Sequence, residues 1–218
     1  MTTSAESELV GTGAGDARIT YHRAAAPEAV LALGHGAGGG IGARDLVALA
    51  ERLPERGITV ALVEQPWRVA GKKLGPAPKT LDVGWRPVAE RLAGQGLPLV
   101  VGGRSAGARV ACRTGAASGA VGVVALAFPL HPPGRPEKSR AEELLGSGLP
   151  TLVVQGTSDP FGGPGEFPEL PGGHGLVAVP SGNHGFEVPK RAAVGQDEVL
   201  ALICSAVGDW VLGLVRAA

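Results

Sequence analysis

Residues 97–107 read LPLVVGGRSAG, an apolar run and two glycines that lead into Arg104, Ser105 and an Ala-Gly pair. The last five positions fit the pattern G-x-S-x-G, where a strand turns sharply into a helix and lifts a serine hydroxyl clear of the backbone. The flanking glycines have no Cβ to collide with the neighbouring strand and helix. The stretch therefore predicts a buried strand over Leu97–Val101, a helix over Ser105–Ala117 and a nucleophilic Ser105.

The chain on either side of this stretch alternates apolar runs with helical patterns. Continuous apolar runs bounded by glycine or proline are typical of strands buried on both faces of a sheet. Strands separated by helices of about ten or more residues indicate right-handed crossovers and a mostly parallel sheet. The predicted strands besides the first are Arg18–His22, Ala29–Gly34, Ile58–Val63, Val121–Ala127, Thr151–Gln155 and Gly175–Val179, and the other predicted helices are Asp45–Arg56, Arg86–Ala93 and Val194–Val215.

The chain is predicted to form one domain preceded by a flexible segment. Residues 1–17 are mostly small and polar, so we expect them to be flexible. Residues 18–218 have the length of a single domain of ordinary size. Residues 65–81 carry prolines and glycines among lysines and predict a long surface excursion.

Composition restricts the partners and the compartment. The 20 basic and 20 acidic side chains cancel, which argues against nucleic acid or an anionic membrane as partner, because both require a basic surface. Residues 1–10 lack the features of a signal peptide. Two distant cysteines indicate a reducing cytoplasm and no disulfide framework. The five histidines show no metal-ligand spacing, so we expect a small-molecule substrate and no metal or cofactor. The oligomeric state is not predicted.

An activated serine needs a base, and the base needs an acid that orients it. Asp159 and His184 directly follow the predicted strands Thr151–Gln155 and Gly175–Val179. The carboxyl ends of parallel strands lie at one edge of a sheet, where active-site loops gather. We therefore predict that Ser105, Asp159 and His184 form a catalytic triad. Glu166 remains an alternative acid and His131 an alternative base.

A glycine-rich loop, HGAGGG at residues 35–40, follows the predicted strand Ala29–Gly34. It resembles the H-G-x-x-G loop that supplies one oxyanion donor in serine hydrolases. A tetrahedral intermediate needs two N–H donors about 3 Å from its anionic oxygen. We assign these donors to Ala106 and to Ala37 or a neighbouring glycine.

Three further residues are predicted to contact substrate. His35 lies in the glycine-rich loop, and Trp67 follows the predicted strand Ile58–Val63, where it either walls the pocket or anchors a loop. His131, with Arg135 and Lys138, follows another strand and either receives an anionic group or belongs to a solvated basic loop.

Five motifs in order carry a family resemblance: HGAGG (35–39), GGRSAG (102–107), FPLHPPG (128–134), GTSDPFG (156–162) and GNHGF (182–186). Together they resemble the α/β-hydrolase-like family that includes a testis-expressed protein and a subunit of the nonspecific lethal chromatin complex, and most of all its small bacterial, dienelactone-hydrolase-like members. The resemblance implies an α/β-hydrolase fold with little or no lid, and Ser105, Asp159 and His184 as its triad. Asn183 departs from the acidic residue found before the histidine in many hydrolases.

These observations predict a serine hydrolase that cleaves a carboxylic ester or thioester through an acyl-enzyme. The alternative is a catalytically silent scaffold that binds a partner through the same cleft. Reaction with a fluorophosphonate distinguishes the two, because it requires an activated serine.

Overall fold

The computed structural model describes residues 6–217, which are organised around one eight-stranded sheet. The strand order is β1-β2-β4-β3-β5-β6-β7-β8. Strand β2 pairs antiparallel with β1 and with β4, and every neighbouring pair from β4 to the β8 edge of the sheet is parallel. The strands are β1 (Glu6–Thr12), β2 (Gly15–His22), β3 (Ala29–Gly34), β4 (Ile58–Glu64), β5 (Leu99–Arg104), β6 (Gly122–Leu126), β7 (Thr151–Gly156) and β8 (Gly175–Val179).

Helices cover both faces of the sheet because its central strands are apolar on both sides. On β3, Val30 and Ala32 join one buried cluster, and Leu31 and Leu33 join the other. The first cluster contains residues of α3 and α4, and the second contains residues of α1 and α6. The helices are α1 (Arg44–Arg52), α2 (Pro66–Val69), α3 (Pro78–Ala93), α4 (Ala106–Thr114), α5 (Ala141–Leu145) and α6 (Gln196–Arg216). The predicted mostly parallel sheet with helices on both faces is confirmed.

The sheet order determines which loops meet. Strand β5 lies between β3 and β6, with β7 and β8 following on the same side. These five strands run parallel, so the loops that follow them emerge at one edge of the sheet. The serine turn after β5 is therefore a neighbour of the glycine-rich loop after β3, while the loops with Asp159 and His184 reach it from the other side.

Helix α3 is twice as long as predicted. The prediction began it at Arg86, because the prolines of residues 65–81 indicated a loop. The helix instead begins at Pro78, which occupies its first turn. A missing N–H costs nothing there, since the first N–H groups of a helix have no intrahelical partner. The excursion also contains the short helix α2, so it is partly ordered into helices.

The predicted flexible segment is wrong for residues 6–17, which contribute to the hairpin of β1 and β2. Residues 1–5 lie outside the described part of the chain. Arg23 pairs with Glu6 at 2.6 Å, and the hydroxyl of Tyr21 donates to Glu8 at 2.9 Å. Pairing with β2 orders this polar strand, and local composition carries no signal for a partner further along the chain.

Within residues 6–217, α6 is long and apolar enough to match a membrane span by length and composition, with a mean hydropathy of 1.8. Ile203, Val207 and Val211 on this helix are fully buried against the sheet and α1. An amphipathic core helix that closes one face of a sheet requires such residues. Its composition is explained by its packing in this fold.

Candidate active site

Ser105 occupies a sharp turn between β5 and α4. Its backbone has φ 55° and ψ −112°, a conformation that L-residues rarely adopt and that the surrounding structure must hold. The Ser105 N–H donates to the Leu126 carbonyl at 2.9 Å. A Cβ on either Gly103 or Gly107 would lie 2.6 Å from the Gly34 carbonyl oxygen. Both glycines therefore allow the turn to pack directly against the end of β3.

The side chains of Ser105, His184 and Asp159 form one hydrogen-bonded chain. His184 Nε2 lies 2.9 Å from Ser105 Oγ, and His184 Nδ1 lies 2.8 Å from Asp159 Oδ2. With a proton on Nδ1, the imidazole donates to the carboxylate and accepts from the serine hydroxyl. This is the arrangement in which a histidine can remove the serine proton. The structure thus brings together the three residues predicted to form the triad.

The carboxylate of Asp159 is fixed by the loop that follows β7. Its side chain is fully buried and accepts hydrogen bonds from Gln155 Nε2 and from the N–H of Phe161, each at 2.9 Å. Gln155 is itself fully buried and also donates to the Gly162 carbonyl at 2.7 Å. These contacts aim one carboxylate oxygen at His184. No sequence motif singles out Gln155.

His184 is held from two sides. The ring of Phe161 lies 4.3 Å from the imidazole ring, centroid to centroid and tilted by 33°. Arg104 Nη2 donates to the His184 carbonyl at 2.5 Å. Asn183, which stands where many hydrolases are expected to have an acidic residue, accepts from two backbone N–H groups of the same turn at 2.8 and 3.0 Å. An amide oxygen is sufficient for that role, so the departure is consistent with an ordered histidine loop.

Both predicted oxyanion donors line the cleft at Ser105. Ala106 is the first residue of α4, where the N–H has no intrahelical acceptor. The N–H of Ala37 meets no acceptor among the described residues. A Cβ on Gly36 would lie 3.5 Å from Ser105 Cβ, so this loop passes directly beside the serine. The placement suits an oxyanion hole, whose function stays a prediction.

His35 does not face this cleft, contrary to its predicted contact with substrate. It is 3% exposed; its Nδ1 donates to the Gly36 carbonyl at 2.9 Å, and its Nε2 accepts from the Gln65 N–H at 3.2 Å. Burial lowers the pKa of this imidazole, which favours the neutral form that these two bonds require. His35 therefore ties the glycine-rich loop to the end of β4.

Trp67 and His131 also lie outside the lining of the cleft. Trp67 packs edge-on against the His35 ring at 5.3 Å and faces a separate pocket of about 140 Å³ beside α2. The side chain of His131 is 7% exposed, and its Nε2 lies 3.0 Å from Glu166. The alternative base and the alternative acid therefore pair with each other. The loop-anchor interpretation of Trp67 is the one that its burial supports.

The cleft above Ser105 is open and has a volume of about 480 Å³. The described residues place no separate cap over it. Phe161 and His184 form one wall and loop 36–39 another, while Pro129 and three arginines line the rest: Arg104, Arg109 and Arg140. Arg135 and Lys138, which the sequence suggested for an anionic group, lie on an exposed loop. Within residues 6–217, no group of three His, Cys, Asp or Glu side chains is arranged to hold a metal ion.

Residues 27–212 match the family model described as "Alpha/beta hydrolase domain". The chain belongs to the alpha/beta hydrolase family. The match includes every residue of the Ser105–His184–Asp159 chain and the glycine-rich loop. No curated protein matches the sequence of this alpha/beta hydrolase.

Solved structures share the fold along nearly the whole chain. A Xanthomonas campestris protein described as an a/b serine hydrolase without lid is 21% identical, with a TM-score of 0.68 over 99% of this chain and 96% of its own. A dienelactone hydrolase from Anabaena variabilis is 18% identical, with a TM-score of 0.69 over 97% and 98% of the two chains. Thermogutta terrifontis esterase 2 is 13% identical, with a TM-score of 0.70 over 98% and 96%. These likenesses show the alpha/beta hydrolase fold.

Proposed function

We propose that this alpha/beta hydrolase cleaves carboxylic esters or thioesters through an acyl-enzyme on Ser105. The observation that carries the proposal is the unbroken chain from Asp159 through His184 to Ser105, with contacts of 2.8 and 2.9 Å. A scaffold without catalytic activity has no need of a serine in a strained turn, hydrogen-bonded to a histidine. Solved neighbours described as serine hydrolase, dienelactone hydrolase and esterase are consistent with this activity.

The first half of the reaction forms the acyl-enzyme. Ser105 Oγ attacks the substrate carbonyl while His184 Nε2 takes the hydroxyl proton. Asp159 holds the imidazole in the required tautomer and stabilises its positive charge. The N–H groups of Ala37 and Ala106 donate to the oxygen anion of the tetrahedral intermediate. When the intermediate collapses, the carbon–oxygen or carbon–sulfur bond breaks, and His184 returns the proton to the departing alcohol or thiol.

The second half consumes water. His184 takes a proton from a water molecule as its oxygen attacks the acyl carbonyl, and the same N–H groups hold the second oxyanion. Collapse then breaks the bond to Ser105 Oγ, which regains its proton from His184. The products are a carboxylic acid and an alcohol or thiol. No metal or cofactor is part of this proposal.

The proposal also covers the setting of the reaction. The partner is a small molecule with an ester or thioester group, and the compartment is the cytoplasm, in keeping with two free, buried cysteines. Membership of the branch with the testis-expressed protein and the chromatin-complex subunit stays a prediction, based on the five motifs.

A panel of p-nitrophenyl esters of increasing acyl length tests the activity. We expect the wild-type protein to release p-nitrophenolate with saturation kinetics, and Ser105→Ala to lower kcat by several orders of magnitude. The melting temperature of the variant should stay close to that of the wild type, because Ser105 is partly exposed. A folded wild-type protein without turnover on any ester or thioester supports the silent scaffold instead.

A further inference from the structure

The charged groups of the cleft are of one sign. Among the described residues, the cleft lining contains three arginines and no carboxylate; His184 is its one other titratable side chain. Although the chain carries no net formal charge, the wall of the cleft beside the reacting serine is therefore positive. Positive side chains in a confined cleft raise the local concentration of anions and favour their binding.

Two of the three arginines are already compensated. Arg104 lies 3.5 Å from the buried carboxylate of Asp45 and donates to the His184 carbonyl. Arg109 binds Glu143 through two hydrogen bonds of 2.9 and 2.5 Å. The bidentate pair with Glu143 fixes the Arg109 guanidinium and satisfies most of its charge. These two arginines shape the cleft and add to its field.

Arg140 differs from them. Its Nη1 donates to the Pro129 carbonyl at 2.9 Å, and within residues 6–217 no carboxylate lies in ion-pair distance of its guanidinium. Glu143, the carboxylate whose charge acts on Arg140, is shared between Arg109 and Arg113 instead.

The environment of Arg140 is therefore unfavourable for its charge. Burial and the neighbouring Arg109 lower the pKa of its guanidinium, and Glu143 opposes this only in part. Half-buried arginines are usually paired, because an unpaired charge loses hydration without gaining a partner. A bound anion would supply that partner, and the flat fork of a guanidinium suits a carboxylate or a phosphate.

We infer that Arg140 forms an anion subsite of the cleft, with Arg109 adding to its field, so that the substrate is an ester or thioester bearing a carboxylate or phosphate near the scissile carbonyl. The inference of a substrate class rests on the proposed function, whereas the anion subsite itself does not. A cleft of about 480 Å³ has room for both the reacting carbonyl and a second group of this size.

The kinetic test compares two esters of equal chain length. Mono-p-nitrophenyl glutarate carries a terminal carboxylate where p-nitrophenyl valerate carries a methyl group. We expect the wild-type protein to prefer the glutarate ester in kcat/KM by about tenfold or more, as one hydrogen bond to a charged group allows. Arg140→Gln should lower the glutarate-to-valerate ratio by a similar factor, Arg140→Lys should lower it less, and added salt should reduce the wild-type ratio.

Arg135→Gln is the matched control, because it removes the same charge from an exposed loop outside the cleft. Its glutarate-to-valerate ratio should equal that of the wild type. A wild-type ratio near one with robust hydrolysis of both esters overturns the subsite and leaves the proposed function standing. An equal loss of preference in Arg135→Gln and Arg140→Gln also overturns it, since the effect would then come from net charge.

A binding test is independent of turnover. The Ser105→Ala protein is titrated with monomethyl glutarate, with neutral dimethyl glutarate and with inorganic phosphate, while the arginine side-chain N–H signals are followed by NMR. We expect saturable binding of at least one anion and weakening of about tenfold or more when Arg140→Gln is added. The anion that binds identifies the group as carboxylate or phosphate. If neither anion binds, the subsite is overturned. If an anion binds in a way that depends on Arg140 but the wild-type protein hydrolyses no ester, the subsite is supported and the proposed function fails.

Discussion

Ser105 keeps its strained backbone because two glycines let the turn approach β3. Gly103→Ala would place a Cβ 2.6 Å from the Gly34 carbonyl oxygen and 2.9 Å from the Gly107 carbonyl carbon. Both neighbours are backbone atoms that cannot turn aside. We expect a loss of about 2 kcal/mol or more in the free energy of unfolding, and a displaced serine with little turnover.

Gly165→Ala is the control for this substitution. A Cβ at Gly165 meets nothing within 4 Å, so the change should stay within about 0.5 kcal/mol. Urea unfolding of both variants measures the difference. Equal stability of the two alanine variants would contradict the close packing of the turn against β3.

The assignment of the acid is tested at Asp159 and Glu166. Asp159→Asn preserves the shape of the side chain but favours the wrong histidine tautomer, and comparable triads lose about 10⁴ in turnover by this change. Glu166→Gln should leave turnover nearly unchanged, because Glu166 contacts His131 at 3.0 Å and lies outside the cleft lining. If Glu166→Gln lowers turnover severely and Asp159→Asn lowers it only slightly, the acid is misassigned.

His131 makes a contribution to stability that depends on pH. The Pro132 carbonyl and the Glu166 carboxylate raise the pKa of this imidazole above its usual value of 6.5, although burial opposes them. A raised pKa in the folded state means that protonation favours folding. This stabilisation is complete below about pH 6.5 and is lost as the pH rises through the folded pKa.

The His131→Gln variant measures this contribution. Its deficit in unfolding free energy relative to the wild type should be larger at pH 5.5 than at pH 8.5. A deficit of the same size at both values would mean that the imidazole gains nothing from its proton.

At the scale of elements, α4 and α6 each bury a cysteine. Burial raises the pKa of the Cys112 thiol to about 12 and that of Cys204 to about 11. Because the thiolate is the reactive species, neither cysteine should react with a disulfide reagent at pH 8 while the helices remain packed. Both should react at once in denaturant. Rapid modification of the native protein would show that α4 or α6 opens easily.

The parallel strands could be predicted from sequence because each is an apolar run with a break at both ends. Gly175–Val179 matches β8 at both bounds, and Ala29–Gly34 matches β3. The hairpin of β1 with β2 gave no such signal, since its order depends on pairing and not on composition. The prolines of residues 65–81 favour a loop, although Pro78 is one of the residues best suited to begin a helix.

The convergence of Ser105, His184 and Asp159 could be predicted for the same reason, since loops that follow parallel strands share an edge of the sheet. The surroundings of these three residues could not. Gln155 acquires its role from the Asp159 carboxylate, and Arg140 from a cleft whose other walls come from distant parts of the chain. The sequence predicts that His35 and Trp67 contact substrate. It cannot show that the two are buried against each other, because that depends on how the loops after β3 and β4 pack.

Over the whole molecule, one sheet aligns the ends of β3, β5, β7 and β8. Strand pairing fixes the relative positions of their loops. The hydrogen-bonded chain from Asp159 to Ser105 is therefore a consequence of the strand order together with the turn at Ser105. We propose that this arrangement activates the serine.

Labelling of the folded protein with a fluorophosphonate tests that claim most directly, because an unactivated serine does not react with this reagent. Intact-mass analysis should show one equivalent of label on the wild-type protein, and peptide mapping should locate it on Ser105. Ser105→Ala and the urea-unfolded wild type should both remain unlabelled. A folded wild-type protein that takes no label, or takes it at another residue, would contradict the account.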